Sequence, residues 1–236
     1  MDQRPQLLRP SHRDSGVRLA LITASFDSYD ALKELPDQDV AFEAICVTDD
    51  PDLQSETWTV VYDPQPGVHP NRAAKKPKFC PWNYTDATFS IWLDASFRVT
   101  SPAFVGDALD IASNSEHRLA QFPHNARDCL YDEANFSAGM QKYAGEPLAE
   151  QVARYRAWGH PAHWGLWATG IMFRHHTPEV VELGERWMKE VNDWSFQDQV
   201  SQPAMLREVG IRPLELPGWY WAGENPWFGY EGSSRH

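Results

Sequence analysis

The chain has 236 residues, of which 42% are hydrophobic and 23% charged, and its formal net charge is −12. This size and composition predict one folded domain with a sizeable core and argue against a disordered chain. The acidic balance disfavours general affinity for nucleic acid or anionic lipid. No apolar run approaches the roughly 20 residues that cross a bilayer, so no transmembrane segment is expected.

The N-terminal residues 1–16 are polar and lack the apolar stretch of a signal peptide. We expect a flexible tail there and a cytoplasmic protein. The three cysteines are Cys46, Cys80 and Cys129. Their odd number, with no CxxC spacing, argues against a disulfide framework and against a zinc site, and predicts buried thiols.

Strands and helices alternate in the first half of the chain, which predicts a three-layer α/β fold. The elements predicted up to residue 122 are strands at 17–25, 40–47, 57–62, 89–93 and 118–122, with helices at 29–35, 71–79 (N-cap Asn71) and 102–112. The later elements are a helical pattern over 132–158 with breaks at Gly139 and 145–147, a strand at 166–173, a helix from Thr177 and a helix at 196–209. We expect residues 17–213 to form one domain and the aromatic tail, 214–236, to pack near the site.

Asp94 directly follows the apolar strand predicted at 89–93. An acid in this position lies at the carboxyl edge of the sheet, where open α/β folds bind ligands. There it can hold a divalent cation that offsets the negative charge of a leaving diphosphate. The usual device is Asp-x-Asp, but the second position is Ser96, so the pattern is half complete. An Asp that only caps the next turn is the alternative.

Four cations precede this strand, namely Arg72, Lys75, Lys76 and Lys78. Clustered cations can grip a diphosphate. The alternative is an ordinary solvated helix face.

Two further segments carry polar or small residues suited to a site. His124 and Arg127 follow the strand at 118–122 and can reach the same sheet edge. Thr169 and Gly170 allow a ligand to approach the backbone closely, and Trp167 can form a pocket wall. The alternative for this last segment is a strand with a bulge.

Asp198 and Gln199 stand at the start of the last predicted helix. They can bind acceptor hydroxyls, and Asp198 can act as a general base. The alternative is an acid placed there only because the helix dipole favours it.

In their order, these segments resemble a GT-A-type glycosyltransferase. More narrowly, they are similar to the glycosyltransferase-like domain family shared by plant turgor-regulation and seed-mucilage proteins and many bacterial proteins. The matching residues are Arg72, Lys75 and Pro77, then 91–94, then His124, Arg127 and 131–133, then 170–174, then 198–199. The resemblance implies a GT-A-like, Rossmann-like sandwich with a mixed, mostly parallel sheet. It also implies a nucleoside diphosphate sugar donor and a site centred on Asp94 that uses Mn²⁺ or Mg²⁺.

The function expected from this resemblance is transfer of a sugar from a nucleoside diphosphate sugar to a hydroxyl acceptor. Thr23, Ser25 and Asp49 would contact the nucleoside, and Gly170, Asp198 and Gln199 would lie near the donor sugar and acceptor. A third metal ligand would be His236. If no metal takes part, Lys75, Lys76 or Arg72 would carry the diphosphate charge instead.

Two rival functions stay open at this point. One is a metal-dependent hydrolase of a glycolipid-like or phosphorylated substrate that uses Asp94, His124 and Asp198. The other is a non-catalytic protein that binds a sugar or nucleotide, for which Ser96 is the best argument.

Overall fold

The computed structural model describes residues 18–114, 117–218 and 225–231. Its strands are β1 Leu19–Ser25, β2 Glu43–Thr48, β3 Thr59–Tyr62, β4 Phe89–Leu93, β5 Phe97–Val99, β6 Leu119–Gln121, β7 Ile171–His175, β8 Leu214–Glu215 and β9 Phe228–Tyr230. Its α-helices are α1 Pro70–Ala73, α2 Lys75–Phe79, α3 Phe104–Asn114, α4 Leu130–Ala138, α5 Leu148–Ala157, α6 Pro178–Asp193 and α7 Asp198–Glu208. Short 3₁₀ helices lie at Pro81–Asn83 and Gln141–Tyr143.

Seven of these strands form one sheet, in the order β3-β2-β1-β4-β7-β6-β8. The first four are parallel to one another, β7 is antiparallel to both of its neighbours, and β6 is parallel to β8. The predicted α/β class with a mixed, mostly parallel sheet is therefore confirmed. The carboxyl ends of β1, β2 and β4 meet at one edge, which is where Asp94 lies.

The strands are apolar on both faces, so the sheet has a core on each side. On one side Ile22, Trp92 and Met172 pack with side chains of three helices, Phe79 of α2, Leu183 of α6 and Met205 of α7. On the other side Leu21, Ile91 and Phe173 pack with Phe104 and Val105 of α3. The molecule is therefore the three-layer sandwich that the alternating pattern predicts.

The helix predicted at 29–35 is wrong, because this segment is irregular. The Lys33 ammonium donates to the Ala95 carbonyl at 2.6 Å, and the Lys33 carbonyl accepts from the indole N–H of Trp58 at 2.9 Å. The Leu35 N–H donates to the Thr57 hydroxyl at 2.9 Å. Because the Lys33 carbonyl and the Leu35 N–H bond to distant residues, these two backbone groups are not available for a helical ladder.

Two other predicted elements have different limits in the structure. The helix predicted at 71–79 is divided at Ala74 into α1 and α2, and its cap is His69, whose Nδ1 accepts from the Asn71 N–H at 3.2 Å. The strand predicted at 166–173 begins only at Ile171. The residues before it are irregular, apart from a bridge between Trp167 and Pro123.

The described parts of the C-terminal segment join two sheets, the seven-stranded sheet and a second sheet formed by β5 and β9. Leu214–Glu215 is the edge strand β8, and Phe228–Tyr230 pairs antiparallel with β5, with Phe97 opposite Tyr230. The candidate ligand His236 and the predicted tail at 1–16 lie outside the described residues. None of the helices in the described ranges has the length and hydrophobicity needed to span a bilayer.

Candidate functional site

Asp94 emerges at the carboxyl end of the buried strand β4, with 38% of its side chain exposed. Its Oδ1 atom accepts the Trp92 indole N–H at 2.6 Å and lies 3.3 Å from the Lys78 ammonium. Its backbone N–H donates to the Gly170 carbonyl at 2.8 Å. The carboxylate is therefore fixed by neighbours on β4, on α2 and just before β7.

Lys78 lies at the centre of the site, with only 4% of its side chain exposed. Its Nζ atom is 2.7 Å from Asp198 Oδ2, 3.3 Å from Asp94 Oδ1 and 3.4 Å from the Thr169 hydroxyl. Burial by itself lowers the pKa of Lys78, but the charges of Asp198 and Asp94 outweigh it and raise the pKa above its usual value. A buried ammonium is thus kept charged between two carboxylates.

Lys75 is the second buried cation, one helical turn before Lys78 on α2, so both face the same way. Its Nζ atom is 2.8 Å from Asp198 Oδ2. Burial lowers the pKa of Lys75 to about 8, although Asp198 acts in the opposite direction. Lys75 is therefore the group here that gains or loses a proton most readily near neutral pH.

Asp198 begins α7 and is buried. Its Oδ1 atom accepts the Thr169 hydroxyl at 3.1 Å, while Oδ2 meets both lysines. Burial would raise the pKa of Asp198, but Lys75 and Lys78 hold it well below its usual range. The carboxylate therefore stays ionised and acts as an acceptor.

Gly170 leaves the space that this arrangement needs. A Cβ atom at this position would lie 2.9 Å from the Phe97 ring and 3.2 Å from Asp94 Oδ2. The missing side chain therefore allows the backbone before β7 to pass directly beside the Asp94 carboxylate.

Asp94 and Asp198 do not form a shared site for a tightly held Mn²⁺ or Mg²⁺ ion. Such ions prefer several oxygen ligands, but Lys78 stands between Asp94 and Asp198 in the space that an ion shared by them would take. Position 96 adds no carboxylate, and its carbonyl accepts the Glu231 N–H at 2.9 Å. The Lys78 ammonium thus occupies the position between the two carboxylates that a shared cation would take.

Arg72 and Lys76 have partners outside this cluster. Arg72 pairs with Glu146 at 2.8 Å and lies over the Phe196 ring. Lys76 pairs with Asp63 at 2.8 Å, just after β3. Of the four cations predicted to grip a diphosphate, the structure brings Lys75 and Lys78 to Asp94 and Asp198.

The residues predicted to contact the nucleoside lie at or near the ends of β1 and β2. Asp49 accepts the Asp27 N–H through both carboxylate oxygens, at 3.0 and 3.1 Å. The Ser25 hydroxyl donates to the Asp30 carbonyl at 2.9 Å, and Thr23 is buried within the sheet. Thr23 and Ser25 lie on β1 and Asp49 directly follows β2, and the carboxyl ends of both strands share the Asp94 edge.

His124 and Arg127 gather around a buried carboxylate, Glu133. Arg127 Nε is 2.5 Å from Glu133, and His124 Nε2 is 3.8 Å from it. Burial lowers the pKa of His124 despite this partner. The Gln197 amide also donates to Glu133 at 3.0 Å, which links the group to the residue before Asp198.

Trp167 and Gln199 contribute to packing around the site. Trp167 is fully buried, so its ring presents no open face, and its indole packs edge-on against Trp164. The Gln199 amide donates to the Trp167 carbonyl at 3.4 Å. Among the described residues, neither side chain forms a hydrogen bond or an ion pair with Lys75, Lys78, Asp94 or Asp198.

Three tyrosines close to the cluster are not among the predicted site residues. Burial raises the pKa of Tyr143 and of Tyr230, and the Asp94 charge adds to both shifts. The Lys142 ammonium lies over the rings of Tyr29 and Tyr143, at 5.8 and 5.5 Å. Aromatic faces beside the charges suit stacking of a base or sugar ring. No local sequence signal marks these residues, because three distant segments supply them.

Two surface hollows lie away from this cluster. One, of about 290 Å³, is lined by Trp158, His160, Ala204, Arg207 and Glu208. The other, of about 340 Å³, is lined by Arg18, Glu43 and residues 82–86, where β2 begins rather than ends. The site at Asp94 is defined by its buried charges.

The metal site expected for the rival hydrolase is not assembled in the described ranges. His124 faces Glu133, and the only group of three clustered metal-binding side chains found there is Cys129, Asp132 and His163. Asp94, His124 and Asp198 thus do not form such a group in that part of the chain.

The fold and the site together define an α/β protein with a buried, charge-compensated cluster of two lysines and two aspartates at the carboxyl edge of its sheet. A model of the TOD1/MUCI70 glycosyltransferase-like domain matches residues 46–213, which include all four members of the cluster. The chain belongs to this family.

Other comparisons add little to this assignment. A solved structure, the WbbM bifunctional glycosyltransferase in its apo form, is 13% identical with a TM-score of 0.43. The match covers 89% of this chain and 40% of that protein, so the chain spans less than half of its length. No curated protein matches the chain significantly.

Proposed function

We propose that the protein transfers a sugar from a nucleoside diphosphate sugar to a hydroxyl-bearing acceptor. The observation that carries the proposal is the pair of buried lysines, Lys75 and Lys78, held by Asp94 and Asp198 at the carboxyl edge of the sheet. Cleavage of the donor releases a nucleoside diphosphate, on which negative charge develops. Preorganised cations beside the leaving group stabilise that charge most in a site that excludes water.

The roles of the cluster follow from its contacts. Lys78 and Lys75 would bind the diphosphate, and Asp94 would hold Lys78 in place from the open side of the site. Asp198 would keep both lysines charged and orient the acceptor hydroxyl or the donor sugar. Because Lys78 already stands between the carboxylates, donor binding in this proposal needs neither Mn²⁺ nor Mg²⁺.

The remaining predicted residues take supporting positions in this proposal. Thr23, Ser25 and Asp49 would face the nucleoside, since β1 and β2 end at the same edge as β4. His124 and Arg127 would approach the acceptor side through Glu133 and Gln197. A cytoplasmic location is also proposed, and the three unpaired cysteines are consistent with a reducing compartment.

A thermal-shift screen of UDP, GDP, CDP and TDP, each with Mn²⁺ and with EDTA, tests this function. A nucleotide at 100 times its dissociation constant should add about 2.7 kcal/mol to the free energy of unfolding. We expect one base to stabilise the protein equally with EDTA and with Mn²⁺. No shift with any nucleotide would overturn the proposal, and a shift seen only with Mn²⁺ would overturn its metal-free form.

Turnover is measured separately, as release of the nucleoside diphosphate from the matching sugar donors. Wild-type release that Lys78→Met abolishes would support catalysis at this site. Nucleotide binding without release, with or without simple hydroxyl acceptors, would favour a binding protein instead. The matched control is Lys76→Met, which removes a lysine of the same segment that pairs with Asp63.

A further inference from the structure

Three metal-binding side chains meet at a place that the proposed transfer reaction does not use. Cys129 caps α4, Asp132 lies in its first turn, and His163 belongs to the loop before β7. One ligand atom from each lies within 4.8 Å of the other two. A thiol, a carboxylate and an imidazole at this spacing form a mixed set of metal ligands. This set differs from an ordinary cluster of surface charges.

A fourth side chain orients the histidine. The Asp128 carboxylate is 2.7 Å from His163 Nδ1, and the Asp128 carbonyl accepts the Gly165 N–H at 3.2 Å. Because Asp128 holds Nδ1, Nε2 would be the ring nitrogen that binds an ion. Histidines that ligate metals characteristically donate their other N–H to a carboxylate, which fixes the ring.

We propose that Cys129, Asp132 and His163 bind a transition-metal ion of the zinc class, with Asp128 as the outer carboxylate. Thiolate and imidazole ligands select zinc over the hard cations Mg²⁺ and Mn²⁺. The buried Cys129 thiol is free, and the side chains of His163 and Asp128 are 62% and 70% exposed, so an ion can enter from solvent. Three protein ligands leave a fourth tetrahedral position for water.

The spacing of the cysteines alone predicts no zinc site, because a spacing such as CxxC detects only sites in which two cysteines lie close together in the sequence. Here a single cysteine combines with residues 3 and 34 positions further along the chain. An ion at this place would fasten the start of α4 to the loop at 160–166. It would be separate from the Asp94 cluster, so zinc found in the protein would not indicate metal-dependent transfer.

Zinc titration of the metal-free full-length protein tests this site, with a chromophoric chelator as competitor. We expect one equivalent bound per chain, and at least tenfold weaker binding after Cys129→Ser or His163→Asn. Asp128→Asn should weaken binding about 10-fold to 100-fold, as expected for loss of an outer ligand. The matched control is His175→Asn, which removes an exposed histidine at the end of β7 and should leave binding unchanged.

Cobalt substitution provides a second measurement that depends on the thiolate. Wild type with one equivalent of Co²⁺ should show a sulfur-to-cobalt charge-transfer band, which Cys129→Ser abolishes and His163→Asn weakens. If Cys129→Ser misfolds by circular dichroism, the exposed His163→Asn variant decides the question. Absence of bound zinc in wild type, or affinity that His163→Asn leaves unchanged, would overturn this site without affecting the proposed transfer reaction.

Discussion

Two pairs of cations in one short segment have opposite surroundings. Lys75 and Lys78 are directed into the sheet edge and share Asp198, whereas Arg72 and Lys76 pair with other carboxylates, Glu146 and Asp63. The side chain of Lys78 is 4% exposed and that of Lys76 is 38% exposed, although only Pro77 lies between them. A cluster of charged side chains therefore becomes a site only where burial strengthens the interactions between the charges and a partner of opposite charge keeps each group ionised.

The largest expected effect concerns Asp198, the carboxylate shared by the inner pair, Lys75 and Lys78. Asp198→Asn leaves Lys75 and Lys78 buried without their main counter-charge, so we expect it to lower the free energy of unfolding by about 3–5 kcal/mol. Urea denaturation measures the change. The outer pair supplies the control, since Asp63→Asn removes a more exposed carboxylate and should cost less than about 2 kcal/mol. Equal losses for the two variants would remove the distinction between the pairs.

The next effect concerns turnover, and it rests on the proposed function. Lys78→Met should lower nucleoside diphosphate release from the donor by about 10²–10³-fold, the usual cost of losing one preorganised donor. Lys76→Met should leave release nearly unchanged. If Lys78→Met unfolds, Lys75→Met gives the same test at a less buried position. Similar losses for Lys76→Met and the inner variants would show that all four cations act together.

Sequence patterns can predict the strand before Asp94 but cannot separate the two pairs of cations. Phe89–Leu93 is apolar except for Ser90 and is followed directly by an acid, so local pattern indicates both its limits and the position of Asp94. Lys75, Lys76 and Lys78 are chemically alike in sequence. Which of them is buried depends on how α2 packs against β1 and α6, far along the chain.

The segment at 29–35 and the tyrosines show the same limit. The helix predicted there loses to long-range hydrogen bonds of the backbone, among them the one from the Leu35 N–H to the Thr57 hydroxyl. Tyr29, Tyr143 and Tyr230 come together only because β9 pairs with β5 and the 3₁₀ helix at 141–143 lies near the site. Hydrophobic periodicity predicts single helices and strands. It does not predict contacts among loops that are distant in the sequence.

The pH dependence of nucleotide binding should separate Lys75 from Lys78. Burial lowers the pKa of Lys75 to about 8, whereas the pKa of Lys78 is raised, so only Lys75 loses its proton at moderately alkaline pH. Calorimetry between pH 7 and 9.5 (roughly one unit below to 1.5 above that pKa) should show affinity falling by up to about tenfold per unit above pH 8. Lys75→Met should flatten this profile, and Lys76→Met should keep it. A profile that Lys75→Met leaves unchanged would contradict the assignment.

The same pKa sets the stability of the free protein in alkali. The pKa of Lys75 is about 8 when folded and 10.5 as its ordinary value, so between these pH values the unfolded chain binds more protons. The free energy of unfolding contributed by this group should therefore rise with pH across that window. Urea midpoints of wild type and Lys75→Met, compared at both ends of the window, measure this contribution.

The smallest expected effect tests how tightly the backbone at Gly170 packs against Asp94. In Gly170→Ala the new Cβ would meet the Phe97 ring at 2.9 Å and Asp94 Oδ2 at 3.2 Å, so the carboxylate or the ring must move. We expect a stability loss of about 1–3 kcal/mol from overpacking, with donor turnover about tenfold lower because Asp94 no longer holds Lys78 correctly. Gly229→Ala is the matched control, because a Cβ there meets nothing within 4 Å. If Gly170→Ala behaves like Gly229→Ala in both measurements, Asp94 tolerates displacement and its contact with Lys78 is not what positions the charge.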